Sequence, residues 1–341
     1  MALKASVPAL VAAMAASIAL ASSQVRADAV ADFYRGKTIN VYIGVNVGGG
    51  YDFEARLLAR FMRAHIPGHP VLVPQNMIGA GGIKMANFLY SIAPQDGTAI
   101  GMFPNTLIAV QAVGTDGAQY DANRFSWLGS MTTSPLTFTT WHTTGVKSIE
   151  DARRRELTVA ASNKGAITYT FPRMLNEFLG TRLKIVSGYQ GNSTMVVAME
   201  RGEVDGVTNS WDSWKSLNPA WVAEKKINLL VQTEPKASEL GIPSVQELAR
   251  NEDDRQVIGL IISGDALGKP LAVTPNVPPE RVKALRDAFD ATVKDPEFIR
   301  AAAAARIEVN PIRGVTLQNT VHKVLATPKH LADRARSIIA E

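Results

Sequence analysis

The sequence predicts an α/β fold of two lobes, each a mixed, mostly parallel sheet flanked by helices. Three observations predict it. Apolar stretches of strand length alternate with amphipathic helical stretches, which implies helical crossovers between parallel strands. Two glycine-rich loops, IGVNVGGGYD (Ile43 to Asp52) and NMIGAGGIK (Asn76 to Lys84), each follow a strand and open a helix. Beyond the β-branched stretch Trp127 to Trp141, the strand, loop, helix pattern starts again.

In the first unit, Ile39 to Val45 reads as a buried strand, and a helix runs from Tyr51 to about Ile66. Its spacing puts Phe53, Leu57, Leu58, Phe61 and Met62 on one face and Arg56, Arg60 and Arg63 on the other. Pro67-Gly68 ends the helix, Val71 to Val73 is the next strand, and the second glycine loop leads into a helix over about Ile83 to Ala93. The turn Pro94-Gln95-Asp96-Gly97 precedes a third strand, Ala99 to Phe103, and Asn105 opens a helix reaching Val113. Trp127 to Trp141 is expected to leave this lobe as a connecting strand, with the outgoing hinge at Leu136 to Thr140.

The second unit repeats the scheme. Leu157 to Ala160, Lys184 to Val186 and a segment ending at Asn209 are its strands, and helices run over about Thr168 to Leu179 and Thr194 to Arg201. Trp211-Asp212-Ser213-Trp214 is read as a loop after the last strand. The apolar run Val257 to Ile262 is the expected return hinge. Helices carrying Val282, Leu285, Phe289 and Val293, and another capped by Asp295-Pro296, are expected to pack on the first lobe. The lobes are thus 28–135 with 258–341, and 136–257.

Residues 1–27 have the pattern of an export signal: Lys4, the apolar run Val7 to Ala21, then Val25-Arg26-Ala27, with cleavage after Ala27 and a periplasmic location. The alternative is an N-terminal membrane anchor, but the run is short for a span and contains Pro8. Removing Lys4 and Arg26 lowers the formal charge from +5 to +3, and no cluster of basic residues interleaved with aromatics suggests nucleic acid. The chain has no cysteine, which removes disulfides, thiol nucleophiles and zinc thiolates together. Pro67-Gly68 breaks the helix that would align His65 with His69, and the other histidines are scattered, so neither a metal nor a catalytic site is expected.

What the loops offer is an anion site. A helix that begins at the carboxyl end of a parallel strand presents unpaired N–H groups and partial positive charge. The first loop lacks both a Walker lysine and the spaced glycines of a dinucleotide fold, so a compact carboxylate is expected rather than a nucleotide. Asp52 either complements its helix dipole or accepts from a ligand hydroxyl, amine or water. Tyr51 either closes the pocket or is an exposed aromatic, and Trp214 either walls the site or anchors its loop. No Gly-x-Ser-x-Gly elbow supports a secreted hydrolase.

The order of motifs carries a resemblance: GGG-x-D at 48–52, GAGG at 79–82, Asp96-Gly97-Thr98, Tyr120-Asp121, Tyr189-Gln190-Gly191 and Gly202-Glu203-Val204-Asp205. Across essentially the whole chain after residue 27 this resembles the solute-binding receptors of tripartite tricarboxylate transporters, the Bug family. The resemblance implies a type II periplasmic-binding-protein-like flytrap that encloses a carboxylate and delivers it to membrane permease subunits, as a monomer without cofactor. Binding to the permease of an ATP-driven importer, or sensing, is the alternative role. By position it implies ligand contacts from Val47, Gly48, Gly49 and Asp52 and from Ala80, Gly81 and Gly82; Tyr51 and Asn105, at the helix starts beside these loops, are further candidate ligand-binding residues. The second lobe would add Asn163, Gly165, Thr168, Gln190, Asn192, Asn209 and Asp212. The chain departs from the family's pattern at Val45-Asn46-Val47, at Tyr51, and in a longer segment Ser263 to Pro270.

Overall fold

The computed structural model describes residues 29–340 apart from 46, 49, 134, 163, 165 and 235–239. The expected export signal, 1–27, lies outside the described residues. In chain order the strands are β1 (Thr38–Ile43), β2 (Val71–Asn76), β3 (Ala99–Met102), β4 (Ser126–Ser130), β5 (Leu136–Trp141), β6 (Leu157–Ala161), β7 (Leu183–Ser187), β8 (Gly206–Ser210), β9 (Ile227–Gln232), β10 (Pro270–Val273) and β11 (Ile312–Arg313). They form two sheets of spatial order β11-β4-β10-β3-β1-β2 and β7-β6-β8-β5-β9.

In the first sheet β1 pairs in parallel with β2 and β3, while β10 runs antiparallel to β3 and β4. In the second, β6 is parallel to β7 and β8, and β5 is antiparallel to β8 and β9. Each sheet is therefore mixed, with a parallel trio built by helical crossovers and antiparallel strands closing the layer. This is the two-lobed α/β architecture the alternation of strands and helices predicts.

The stretch Trp127 to Trp141 is not one strand. It divides into β4 of the first sheet and β5 of the second, so the chain passes from one sheet to the other between Ser130 and Leu136. Leu136 to Thr140, the expected outgoing hinge, sit inside β5 with hydrogen-bonded neighbours on both sides. The return differs as well. Val257 to Ile261 belong to the helix Glu252–Ile261, which Asn251 caps by accepting from the Asp254 N–H. Its apolar face, Val257, Ile258 and Ile261, enters the core under the second sheet with Phe138, Leu157 and Phe171.

The helix Gly50–Met62 packs beneath the first sheet through Leu57, Leu58 and Met62. Phe53, expected on that face, is 46% exposed, and Glu54 is buried instead. The reason is a salt bridge described below. Val282, Leu285 and Phe289 of the helix Pro279–Thr292, and Phe298 of Pro296–Ala304, join the same core as expected. The helix Lys329–Ala340 does not: its Leu331, Ala332, Ala335 and Ile338 complete the core under the second sheet.

Candidate functional site

Because β1, β2 and β3 are parallel, the segments after Ile43, Asn76 and Met102 emerge on one edge of the first sheet. Parallel β6, β7 and β8 likewise release the segments after Ala161, Ser187 and Ser210 on one edge of the second. This arrangement puts Val47, Gly48, Ala80, Gly81, Gly82 and Asn105 on one edge, and Thr168, Gln190, Asn192, Asn209 and Asp212 on the other. Gly49, Asn163 and Gly165 lie outside the described residues. Three of the predicted residues, Tyr51, Asn105 and Asp212, line one cavity of ≈ 390 Å³ that both sheets share, together with Ser210 and Ser213.

Asp52 is buried and fully engaged by its own loop. Its Oδ2 accepts from the Gly48 N–H at 3.0 Å, and its Oδ1 from Arg56 Nε at 3.0 Å and Asn76 Nδ2 at 2.9 Å. The Arg56 guanidinium also donates to Asn76 Oδ1 at 2.8 Å, and Asn76 Nδ2 to the Val45 carbonyl at 3.0 Å. Hydrogen bonding from Arg56, followed by that from Gly48 and Asn76, outweighs burial and holds the Asp52 carboxyl down at about 2. Neither sequence reading foresaw this use: Asp52 braces the first loop and ties it to the end of β2. Val47, 69% exposed, and Gly48 stand at the surface of that braced loop.

The second loop divides its glycines by task. Gly82 has φ 98°, and a Cβ there would meet Pro104 Cγ at 2.7 Å, so its smallness seats the loop on the third one. Gly81 has φ 63° with nothing within 4 Å of a built Cβ. Ala80 and Gly81 are exposed, and the helix Ile83–Ser91 behind them has no side-chain cap; the Ile83 N–H returns to the Ala80 carbonyl and the Lys84 N–H to the Gly79 carbonyl, so what the loop presents outward is the turn at Ala80 and Gly81. Gly82→Ala is expected to lower the unfolding midpoint through both strain and the clash. Gly81→Ala should cost only about 1 kcal/mol of backbone strain, leaving a folded protein, checked by denaturant unfolding.

Tyr51 is the bridge between the first loop and the third. Its hydroxyl accepts from the Asn105 N–H at 3.1 Å and donates to the Gly268 carbonyl at 3.4 Å. Burial pushes the phenol well above its ordinary range, so it stays a donor at neutral pH. Asn105 in turn donates through Nδ2 to the Gly264 carbonyl at 2.8 Å. These two residues tie the helix starts of the first sheet to the return segment.

On the second edge, Asn192 Nδ2 donates to Asn209 Oδ1 at 2.8 Å, and the Ser210 N–H donates to the same oxygen at 2.9 Å. Asn192 Oδ1, Asn209 Nδ2 and Trp211 Nε1 are left buried with no hydrogen-bond partner among the described residues. Buried polar atoms are ordinarily satisfied, and the Thr208 hydroxyl and Trp214 Nε1 nearby are likewise unmatched, so this strand end holds a cluster of unpaired polar groups. Thr168 is instead occupied with Ser162, 3.1 Å from both its N–H and its hydroxyl, and Gln190 is exposed. Trp211-Asp212-Ser213-Trp214 is not a loop but the start of the helix Trp211–Leu217, capped by Ser210. Trp214 is fully buried, an anchor of the second core.

The sequence reading missed the charged floor of the shared cavity. Buried Glu54 accepts from Lys269 Nζ at 2.5 Å and from the Thr132 hydroxyl at 3.0 Å, and Lys269 lies 5.7 Å from the Tyr51 ring centroid. Burial pushes the Glu54 carboxyl up, and Lys269 pulls it partly back. Glu54 and Lys269 are 215 positions apart, so no local pattern could pair them. The one signal was Glu54 itself, an acid two positions after Asp52 on a helix whose burying face it interrupts.

No protein-family model matches the chain. In sequence it is similar to the UPF0065 protein in gbd 5'region of Cupriavidus necator, 26% identical with 86% of each chain covered. In structure it is similar to a TctC solute-binding protein from Polaromonas, with a TM-score of 0.68 and 17% identity over 88% of this chain and 99% of that one. It is also similar to MatC from Rhodopseudomonas palustris with bound malate, with a TM-score of 0.57 and 19% identity over 87% of this chain and 99% of that one. The ordered motifs that resemble tripartite tricarboxylate receptors and the architecture around them agree: this chain has the two-lobed solute-binding-protein fold of the TctC-type receptors.

Proposed function

We propose that this chain is a periplasmic receptor that captures a small carboxylate-bearing organic anion between its two sheets and delivers it to the permease of a tripartite tricarboxylate-type transporter. The observation that carries the reading is the cavity both sheets share, lined by Tyr51 and Asn105 from the first and by Ser210, Asp212 and Ser213 from the second. The first edge adds the exposed turn at Ala80 and Gly81, and the second adds buried, unmatched atoms of Asn192, Asn209 and Trp211. Malate in MatC is a carboxylate held on the same fold, which supports the class of ligand. In this reading the hinge lies where the chain passes from one sheet to the other, between Ser130 and Leu136 and between Ile261 and Pro270.

Magnitudes are adequate. Micromolar capture requires about −8 kcal/mol, and hydrogen bonds to a charged group contribute about 1.5–3 kcal/mol each. Three or four donors therefore suffice before ordering costs. Closing the second edge onto a ligand seated on the first would supply the later ones and select a closed form for the permease.

The test is thermal stabilisation of residues 28–341 against mono-, di-, tri- and aromatic carboxylates. Ligand at about 100 times its Kd should add about 2.7 kcal/mol to stability. A saturable shift that Asn209→Ala weakens supports the reading, and no shift with any carboxylate overturns it.

A further inference from the structure

Asp265 stands on the short helix Ser263–Leu267, within the segment where the sequence departs from the pattern it otherwise resembles. It lines the shared cavity together with Tyr51 and Asp212. The Thr233 hydroxyl, which accepts from the Leu136 N–H at 3.0 Å, hydrogen-bonds to its carboxyl. Its Oδ2 is shielded from solvent and has no partner among the described residues. A buried carboxyl oxygen left unmatched beside a cavity is costly unless something arrives to meet it.

The charges around it indicate what would arrive. In the shared cavity the cations are Lys269 and Arg306, and the acids besides Asp265 are Glu54, Asp212 and Glu308. Lys269 is committed to Glu54 at 2.5 Å. Lys215 of the second sheet's helix reaches Glu308 at 2.5 Å and Asp212 at 3.6 Å. On its other side Asp265 borders a cavity of ≈ 640 Å³ whose charged lining is Glu234, Glu252, Arg255 and Lys323. No salt bridge joins Asp265 to any of these cations among the described residues, and Lys269 and Lys215 are held by other acids, so the Asp265 carboxyl is left without a cation of its own.

We propose that Asp265 Oδ2 receives an ammonium group of the ligand, so that the ligand is a carboxylate that also carries an amine. This rests on the carboxylate-receptor reading and narrows it. Burial raises the Asp265 carboxyl to about 8, so the empty site is protonated at neutral pH. Seating an ammonium against it favours the ionised form, and the carboxyl proton leaves to solvent while the amine keeps its own. Binding at pH 7 therefore releases protons to solvent.

The experiment is calorimetry on matched pairs, succinate against aspartate and benzoate against 4-(aminomethyl)benzoate, at pH 7 in buffers of differing ionisation enthalpy. The expected result is an amino member bound at least about tenfold tighter than its partner, with proton release. Asp265→Asn should abolish both the preference for the amino member and the proton release. Equal or tighter binding of the amine-free acids overturns the inference and leaves the carboxylate reading intact. So does affinity for an amine-free acid that falls as pH rises through 8, the mark of a protonated Asp265 donating to the ligand. Binding of neither member of any pair removes the carboxylate reading and this inference with it.

Discussion

Asp52→Ala is expected to destabilise the protein by about 3 kcal/mol and to weaken carboxylate binding at the same time. The substitution removes the acceptor for Gly48, Asn76 and Arg56 together, in a place where water cannot easily replace it. Hydrogen bonds to a charged acceptor are worth about 1.5–3 kcal/mol each but are not additive when they share one carboxylate. The first loop would lose its tie to β2, so its exposed N–H groups would no longer be held toward a ligand. Denaturant unfolding gives the stability, and calorimetry with a bound carboxylate gives the affinity. A loss below about 1 kcal/mol would show that the loop holds itself without Asp52.

The pH dependence follows from the same bonds. The folded carboxyl titrates at about 2 against an ordinary 3.8, so the unfolded state takes up the proton first. The stabilisation is complete above about pH 4–5 and falls away as pH drops toward 2. Wild type and Asp52→Ala should therefore converge in stability on acidification. Parallel curves down to pH 2 would contradict the bracing role.

Lys269→Met should cost about 3–5 kcal/mol, because it leaves Glu54 buried with only the Thr132 hydroxyl. Removing both charges is a different matter. The double variant Glu54→Gln with Lys269→Met should recover most of the loss, since the price of a buried pair is set by desolvation and not by its attraction alone. A thermodynamic cycle over the four proteins measures the coupling, and a value near zero would mean the two side chains do not depend on each other. The pair crosses from the helix Gly50–Met62 to the return segment, so the single variant should also loosen the floor of the cavity.

How much of this was legible in the sequence depends on the range of the interaction. Strand and helix periods are local, and β1, β3, β6 and β8 emerge at or within a few residues of where apolar spacing puts them. The glycine loops were legible for the same reason, since φ 63° and 98° at Gly81 and Gly82 need glycine whatever surrounds them. Crossings between sheets are not local. The Trp127 to Trp141 stretch reads as one β-branched run, and only pairing with β10 on one side and β8 on the other divides it. Val257 to Ile261 shows why short apolar runs mislead: apolar on every reading, it became a helix because Asn251 caps it and the second core needed a face. The charged floor was beyond reach, because Glu54, Thr132 and Lys269 meet only after the helix Gly50–Met62 has packed against the sheet that carries β4 and β10.

The helix Lys329–Ala340 bears on the order in which the chain can fold. Its Leu331, Ala335 and Ile338 fill the core beneath β5 and β6, strands made long before it. A segment such as 136–262 released alone would expose the side chains that helix covers, among them Phe178, whose ring lies 5.5 Å from Arg334. The middle of the molecule thus completes its core only with residues 329–340. The core beneath β5 and β6 is therefore held jointly by stretches widely separated in sequence, so loosening the helix Lys329–Ala340 should weaken strands far from it in the chain.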